Sequence, residues 1–147
     1  MTKIAIRCLA LSLAVLLLPC RADDPKDKPS SKLIGTWKCI SAKYDGKEVK
    51  RPEGYTQLKH VTPTSFMWAI YDGDGKLAAA LGGSYKLKGD EYVETPEYGT
   101  GDGLENLKGK AQEFKLKVDG NKWHHTGMLS SGLTIEEVWE RVTKKDD

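Results

Sequence analysis

The residues of this sequence best suited to chemistry lie near its end, between Leu133 and Val142. If this segment is a strand, Glu137, Trp139 and Arg141 share one face, because neighbouring side chains of a strand point to opposite sides. A carboxylate and a guanidinium on an inner face need partners, since a buried unpaired charge is costly. Glu137 and Arg141 could bind each other or the polar head of a ligand, and the sequence leaves both alternatives open.

Three histidines offer ligands for a metal or a proton: His60, His124 and His125. Adjacent strand residues face opposite sides, so His124 and His125 cannot both enter one coordination sphere from a regular strand. The sequence therefore predicts no metal site. His125 shares parity with Trp123 and could point inward as a polar group that meets a ligand, with a surface position as the alternative.

Cys39 is the only cysteine after residue 22. No histidine or lysine is set to activate its thiol, so we interpret it as a small buried residue. The sequence also contains no nucleophile–base set, no metal-ligand spacing and no phosphate-cradling loop. It predicts a protein that is not an enzyme and that carries no cofactor.

The first 22 residues have the layout of a secretory signal peptide. Two basic residues precede an apolar run from Cys8 to Leu18, and a short tail follows that ends at Ala22. The run is shorter than the roughly 20 residues of a spanning helix, so we expect no membrane-spanning segment in the mature chain. We expect cleavage after Ala22 and export to the periplasm or beyond. Lipid anchoring through Cys20 is the alternative, although Pro19 fits the lipoprotein processing signal poorly.

Removal of residues 1–22 changes the charge balance. The whole chain has 23 Lys+Arg and 21 Asp+Glu, and this segment holds three of the basic residues and none of the acidic ones. The remainder therefore has 20 basic and 21 acidic residues, a formal charge of −1. This balance gives no reason to expect nucleic-acid binding. A single remaining cysteine also excludes an internal disulfide, so the fold must depend on its core.

Residues 23–32 are charged and rich in Pro and Ser, which is typical of a flexible leader. From Leu33 onward, short apolar segments alternate with Gly- and Asp-containing turns about every ten residues, the pattern of an all-β barrel or sandwich. We predict eight strands, at 33–44, 56–61, 65–72, 77–88, 91–98, 111–118, 122–129 and 134–142.

Short turns between consecutive strands favour an antiparallel up-and-down meander over a Greek key. Eight such strands can close into a barrel, which removes the exposed edges. The predicted fold is therefore an eight-stranded antiparallel barrel over residues 33–143. Residues 100–110 are expected to form a long loop or one helical turn, and Gly82-Gly83 predicts a bulge or sharp bend.

Four segments carry a resemblance to known proteins: GTWKCISAKYDGK, HVTPTSFMWAIYDGDGK, LGGSYKLKGDEYVETPEYG and EEVWERV. The triplet Gly35-Thr36-Trp37 resembles the Gly-x-Trp signature of the calycin superfamily. Together the four segments resemble a group of small exported lipocalin-like bacterial proteins of unassigned function. The resemblance implies a barrel fold and leaves the mechanism open.

In calycins the signature Trp packs across one end of the barrel, and an Arg from near the end of the last strand lies over its ring. The resemblance implies this barrel-closing role for Gly35, Trp37 and Arg141. A guanidinium over an indole face contributes about 0.5–2 kcal/mol. We therefore expect these three residues to act structurally.

The fold and the aromatic content predict a barrel that binds a small apolar or amphipathic molecule in its lumen. Burial of ligand surface would drive binding at about 25 cal/mol per Å². The alternative is a barrel filled by its own side chains, acting as an inhibitor or interaction module on a protein partner that the sequence does not identify. The candidate lining residues are Phe66, Trp68, Tyr85, Phe114, Trp123, His125, Glu137 and Trp139, with Tyr92, Glu94 and Tyr98 as further polar groups.

Overall fold

The computed structural model describes residues 32–102 and 104–143. The predicted signal peptide, its cleavage site and residues 23–31 of the leader lie outside this part of the chain. The described residues form β1 (Gly35–Tyr44), β2 (Lys47–Glu48), β3 (Thr56–Val61), β4 (Ser65–Tyr71), β5 (Leu77–Lys88), β6 (Glu91–Thr100), β7 (Gln112–Asp119), β8 (Lys122–Met128) and β9 (Thr134–Arg141).

The strands form one antiparallel sheet in the order β2-β1-β3-β4-β5-β6-β7-β8-β9, and β9 also pairs with β1. This last pairing closes the eight long strands into a barrel, with β2 as a two-residue partner on β1. The predicted eight-stranded meander is confirmed. Its strand bounds agree with the prediction to within two residues at every end.

The turns form where Asp and Gly predict them. Asp45 and Gly46 both have positive φ, at 49° and 73°, as a tight reversal between β1 and β2 requires. Asp45 also accepts hydrogen bonds from the Thr134 amide at 2.9 Å and the Thr134 hydroxyl at 2.8 Å. The first turn is thereby tied to the start of β9.

The register of β5 against β6 shifts between Gly82 and Gly83, so the predicted bulge is confirmed. A Cβ atom at Gly83 would collide with the carbonyl oxygen of Thr95. The absence of a side chain lets the two backbones approach where the sheet bends. On the outer face, the ring of Tyr98 lies where a side chain at Gly82 would stand.

β6 and β7 share four register pairs, from Glu91 with Lys115 to Glu94 with Gln112. Beyond them, the described residues of the segment between the two strands run beside β6 and contain a 3-10 turn at Leu104–Asn106. The Gly109 amide donates to the Pro96 carbonyl at 2.7 Å. This segment therefore covers the part of β6 that has no strand on that side. Of the two alternatives, a long loop or one helical turn, the structure shows a loop that contains a short 3-10 turn.

Alternation along the strands places a mixed aromatic and polar set of side chains inside the barrel. The end that contains Trp37 and Arg141 is called the lower end here, and the end that contains Tyr44 and β2 the upper end. Trp37, Trp123 and Trp139 are fully buried. Tryptophan rings from β1, β8 and β9 therefore fill a large part of the interior.

Candidate functional site: the barrel interior and its upper end

The lower end is closed by Trp37 and Arg141, which are register partners on β1 and β9. The guanidinium carbon of Arg141 lies 4.1 Å from the centre of the Trp37 ring. The same guanidinium donates to the carbonyls of Ile34, at 2.8 Å, and Lys32. Gly35 has φ of 140°, and a Cβ atom there would lie 2.5 Å from the Arg141 guanidinium. Arg141 therefore needs glycine at position 35.

The centre of the barrel holds an ion pair between Lys59 of β3 and Glu94 of β6. The Lys59 Nζ and Glu94 Oε1 atoms are 2.6 Å apart, and the two residues are 1% and 3% exposed. Charged residues are almost never this deeply buried unless they are paired. This pair is the most strongly enclosed charged feature of the described residues.

Aromatic rings surround the Lys59 ammonium. Its Nζ atom lies 4.9 Å from the ring centre of Trp123 and 5.3 Å from that of Trp139. The ring centres of Phe66 and Tyr92 follow at 5.5 and 5.8 Å. All four distances are within the range of about 6 Å over which a cation is attracted to a ring face.

A second polar network is centred on Glu137 of β9. Its carboxylate accepts hydrogen bonds from the Tyr44 hydroxyl at 3.1 Å and the Trp139 indole N–H at 3.0 Å. His125 Nδ1 lies 3.2 Å from the same carboxylate. Because an ionised carboxylate only accepts, His125 must carry its proton on Nδ1, which leaves Nε2 as an acceptor.

Burial and the neighbouring Lys59 cation lower the pKa of His125 below its ordinary value. Burial alone would raise the pKa of Glu137, but the hydrogen bond from His125 and the Lys59 cation outweigh it and lower that pKa. The network therefore holds a neutral imidazole on an ionised carboxylate at neutral pH. Both groups resist protonation while the barrel is folded.

We expect these two groups to make the fold sensitive to acid. Below a pH of about 6.5, His125 binds a proton in the unfolded chain but not in the folded barrel. The unfolding free energy therefore decreases as the pH is lowered. Glu137 adds a second loss below about 4.3. Urea unfolding between pH 8 and about 3 measures both, and His125→Gln should flatten the slope below pH 6.5. The exposed His124→Gln is the matched control. An unchanged slope in His125→Gln would contradict the assignment.

Three buried polar atoms have no hydrogen-bond partner among the described residues: His125 Nε2, Trp123 Nε1 and the Tyr92 hydroxyl. Each of these rings contacts the other two, with ring centres 5.2 to 5.8 Å apart. Burial, followed by the nearby Glu94 carboxylate, raises the pKa of Tyr92 well above its usual value. The barrel centre is therefore polar as well as aromatic.

The upper end combines a guanidinium with half-buried apolar side chains. Arg51, from the segment between β2 and β3, donates to the Gln57 side-chain carbonyl and lies 3.5 Å from the Cys39 sulfur. Within residues 32–102 and 104–143, no carboxylate is within 4.0 Å of the Arg51 guanidinium. Its contacts are therefore with neutral groups.

Half-buried residues lie close to Arg51 in the chain and next to its acceptor Gln57 in the sheet. Tyr44, Val49 and Trp68 pack against the buried core. Ile70 is the register partner of the buried Gln57 and so shares its inward face. Burial raises the pKa of the nearby Cys39 thiol, which keeps it protonated and unreactive at neutral pH.

All eight predicted lining residues lie on the inner face, but the structure does not bring them into one pocket. Phe114, Trp123, His125, Glu137 and Trp139 form a continuous cluster, in which the Phe114 and His125 ring centres are 4.0 Å apart. Tyr85 lies lower, where its hydroxyl donates to the Thr62 carbonyl, and Trp68 is the half-buried register partner of Lys59. The expectation that Tyr98 joins the interior is wrong, because it is 53% exposed on the outer face.

Sequence reasoning missed Lys59, Arg51 and Tyr44. Lys59 had only a weak signal, since Val61 is the one apolar residue of the sequence that shares its parity within this strand. Arg51 had none, because it lies in a segment without alternation. The described residues contain no group of three or more His, Cys, Asp or Glu side chains placed to hold a metal ion. In that part of the chain, no helix is long and apolar enough to cross a membrane.

Comparison with models of protein families gives no match, and comparison with curated proteins gives none either. A similar solved structure is a de novo designed, fluorescence-activating beta barrel. It shares 16% sequence identity with this chain at a TM-score of 0.44, over 76% of this chain and 94% of the designed one. This degree of likeness supports no argument about function. The barrel fold is established by the strand pairing within this chain. Membership of the lipocalin-like group stays a prediction.

Proposed function

We propose that this chain is an exported, lipocalin-like barrel that binds a small amphipathic molecule with an anionic head at its upper end. The Arg51 guanidinium carries this proposal. It is partly buried, it is held by neutral acceptors, and no carboxylate of the described residues neutralises it. A guanidinium in such a setting is suited to pair with a carboxylate or another oxyanion.

The apolar part of the ligand would lie against Trp68, Ile70 and Val49. These side chains are half-buried, so a ligand that covers them removes apolar surface from water. Deeper entry is opposed, because Lys59, Trp123, Trp139 and Tyr92 fill the centre. The proposed ligand is therefore held near the mouth, with only part of its apolar chain inside.

Titration of the delipidated mature protein with dodecanoate, followed by tryptophan fluorescence and calorimetry, tests this proposal. Hydrogen bonds to a charged group contribute about 1.5–3 kcal/mol, so Arg51→Gln should weaken dodecanoate binding roughly 10- to 100-fold. Dodecanol should bind both forms equally. The exposed neighbour Lys50→Gln is the matched control. Absence of dodecanoate binding to the unmutated protein, or equal binding to Arg51→Gln, would refute the proposal.

A second candidate is a filled barrel that acts through its outer surface. Leu58, Ala69 and Ala80 are register partners that face outward on adjacent strands, and Met67 and Tyr98 lie in the next row. This uncharged area spans β3 to β6. The candidate predicts that neither dodecanoate nor dodecanol changes the melting temperature, which is the opposite of the first proposal.

A further inference from the structure

The surroundings of the Lys59 side chain are those of a receptor for an organic cation. Four ring centres lie 4.9 to 5.8 Å from Nζ, and one carboxylate oxygen lies at 2.6 Å. Aromatic rings around a cation with a carboxylate as counter-ion are the arrangement by which proteins recognise ammonium ligands. Here the recognised group belongs to the chain itself.

We propose that the barrel centre is a binding site for a primary ammonium group and that Lys59 is its built-in occupant. The rings come from β4, β6, β8 and β9, the carboxylate from β6, and the lysine from β3. The site is therefore assembled by the closed barrel, and it does not depend on Lys59 for its walls. Removal of the lysine side chain leaves a vacancy with the same recognition groups.

The Glu94 contact selects the class of ligand. A separation of 2.6 Å between Lys59 Nζ and Glu94 Oε1 is that of a charge-assisted hydrogen bond, which only a nitrogen bearing hydrogen can donate. A quaternary ammonium ion offers the same charge without a donor and is larger. The site is thus specific for small primary alkylammonium ions, and this inference is independent of ligand binding at the upper end.

Lys59→Ala tests the proposal, because the atoms that it removes correspond to n-propylammonium. We expect n-propylammonium to raise the melting temperature of Lys59→Ala and to quench or shift the fluorescence of Trp123 and Trp139. Its affinity should exceed that of n-propanol and of tetramethylammonium at least tenfold. The unmutated protein should respond to none of the three, since its site is occupied.

The double variant Lys59→Ala, Glu94→Gln is the matched control and should lose the preference for n-propylammonium over n-propanol. Equal binding of n-propanol to Lys59→Ala would overturn the proposal. An equal response of the unmutated protein would do so too, because the ammonium would then bind elsewhere.

A measurement on the unmutated protein keeps the inference testable if Lys59→Ala does not fold. Ring currents from four aromatic neighbours should move the Lys59 methylene proton resonances well upfield of those of other lysines. The enclosed ammonium protons should exchange slowly with water. Ordinary methylene shifts for Lys59 would show that the four rings do not surround its ammonium group, and would refute the proposal.

Discussion

Replacement of Lys59 by methionine is expected to lower the unfolding free energy by about 3–5 kcal/mol. Methionine preserves most of the side-chain volume, so the loss comes from charge and not from a cavity. The Glu94 carboxylate would remain 3% exposed without its counter-ion. Urea unfolding followed by tryptophan fluorescence measures the change directly.

Neutralising Glu94 as well should restore much of the unfolding free energy lost in Lys59→Met. In Lys59→Met, Glu94→Gln neither member of the buried pair is charged, and buried ion pairs replaced by uncharged groups often leave stability unchanged or higher by about 1–4 kcal/mol. Lys115→Met is the control, since Lys115 forms ion pairs with Asp90 and Glu91 at the surface and should show no measurable loss. A double variant less stable than Lys59→Met would contradict this interpretation.

Trp37→Ala is expected to cost about 3–5 kcal/mol, the usual range for truncating a fully buried large aromatic side chain. The variant leaves a cavity at the lower end and removes the ring beneath the Arg141 guanidinium. It also removes the hydrogen bond from the Trp37 indole to the Leu33 carbonyl, which measures 2.8 Å. Thermal unfolding and urea unfolding should both report the loss.

Arg141→Lys separates charge from geometry at the same end. Lysine keeps the positive charge but cannot stack a planar group on the indole while reaching the carbonyls of Ile34 and Lys32. We therefore expect a smaller loss of stability than in Trp37→Ala. If Trp37→Ala kept its melting temperature and lost ligand binding instead, a structural role for Trp37 would be wrong.

The strand order could be predicted because Asp and Gly residues mark the turns in the sequence. Asp45, Gly46 and Gly120 have positive φ between alternating segments, and short turns allow little choice of pairing. The contact of Trp37 with Arg141 could be anticipated only from resemblance to calycins. The local sequence pattern gives no indication that two residues at opposite ends of the domain, such as Trp37 and Arg141, are in contact.

The polar centre could not be predicted, because it depends on register across several strands. Within TQLKHV, Gln57 and Lys59 share a face with Val61, while Leu58 points outward. Each face therefore carries one apolar residue, and hydrophobic alternation selects neither face of this strand. The partner of Lys59 is Glu94, 35 residues later, and no spacing rule selects it.

Pairing of β1 with β9 also decides when the barrel can fold. Arg141 bonds the Ile34 carbonyl 107 residues earlier in the chain, so the two ends of the domain must meet before the lower end closes. Contacts between distant residues make folding slow, typically milliseconds to seconds for all-β domains, whereas a ribosome adds about 5–20 residues per second. β1 therefore has no β9 to pair with until the end of the domain has been synthesised, and the barrel stays open until then. A topology that completes folding only after β9 has been synthesised is compatible with the export that we propose, in which the chain crosses a membrane before it folds.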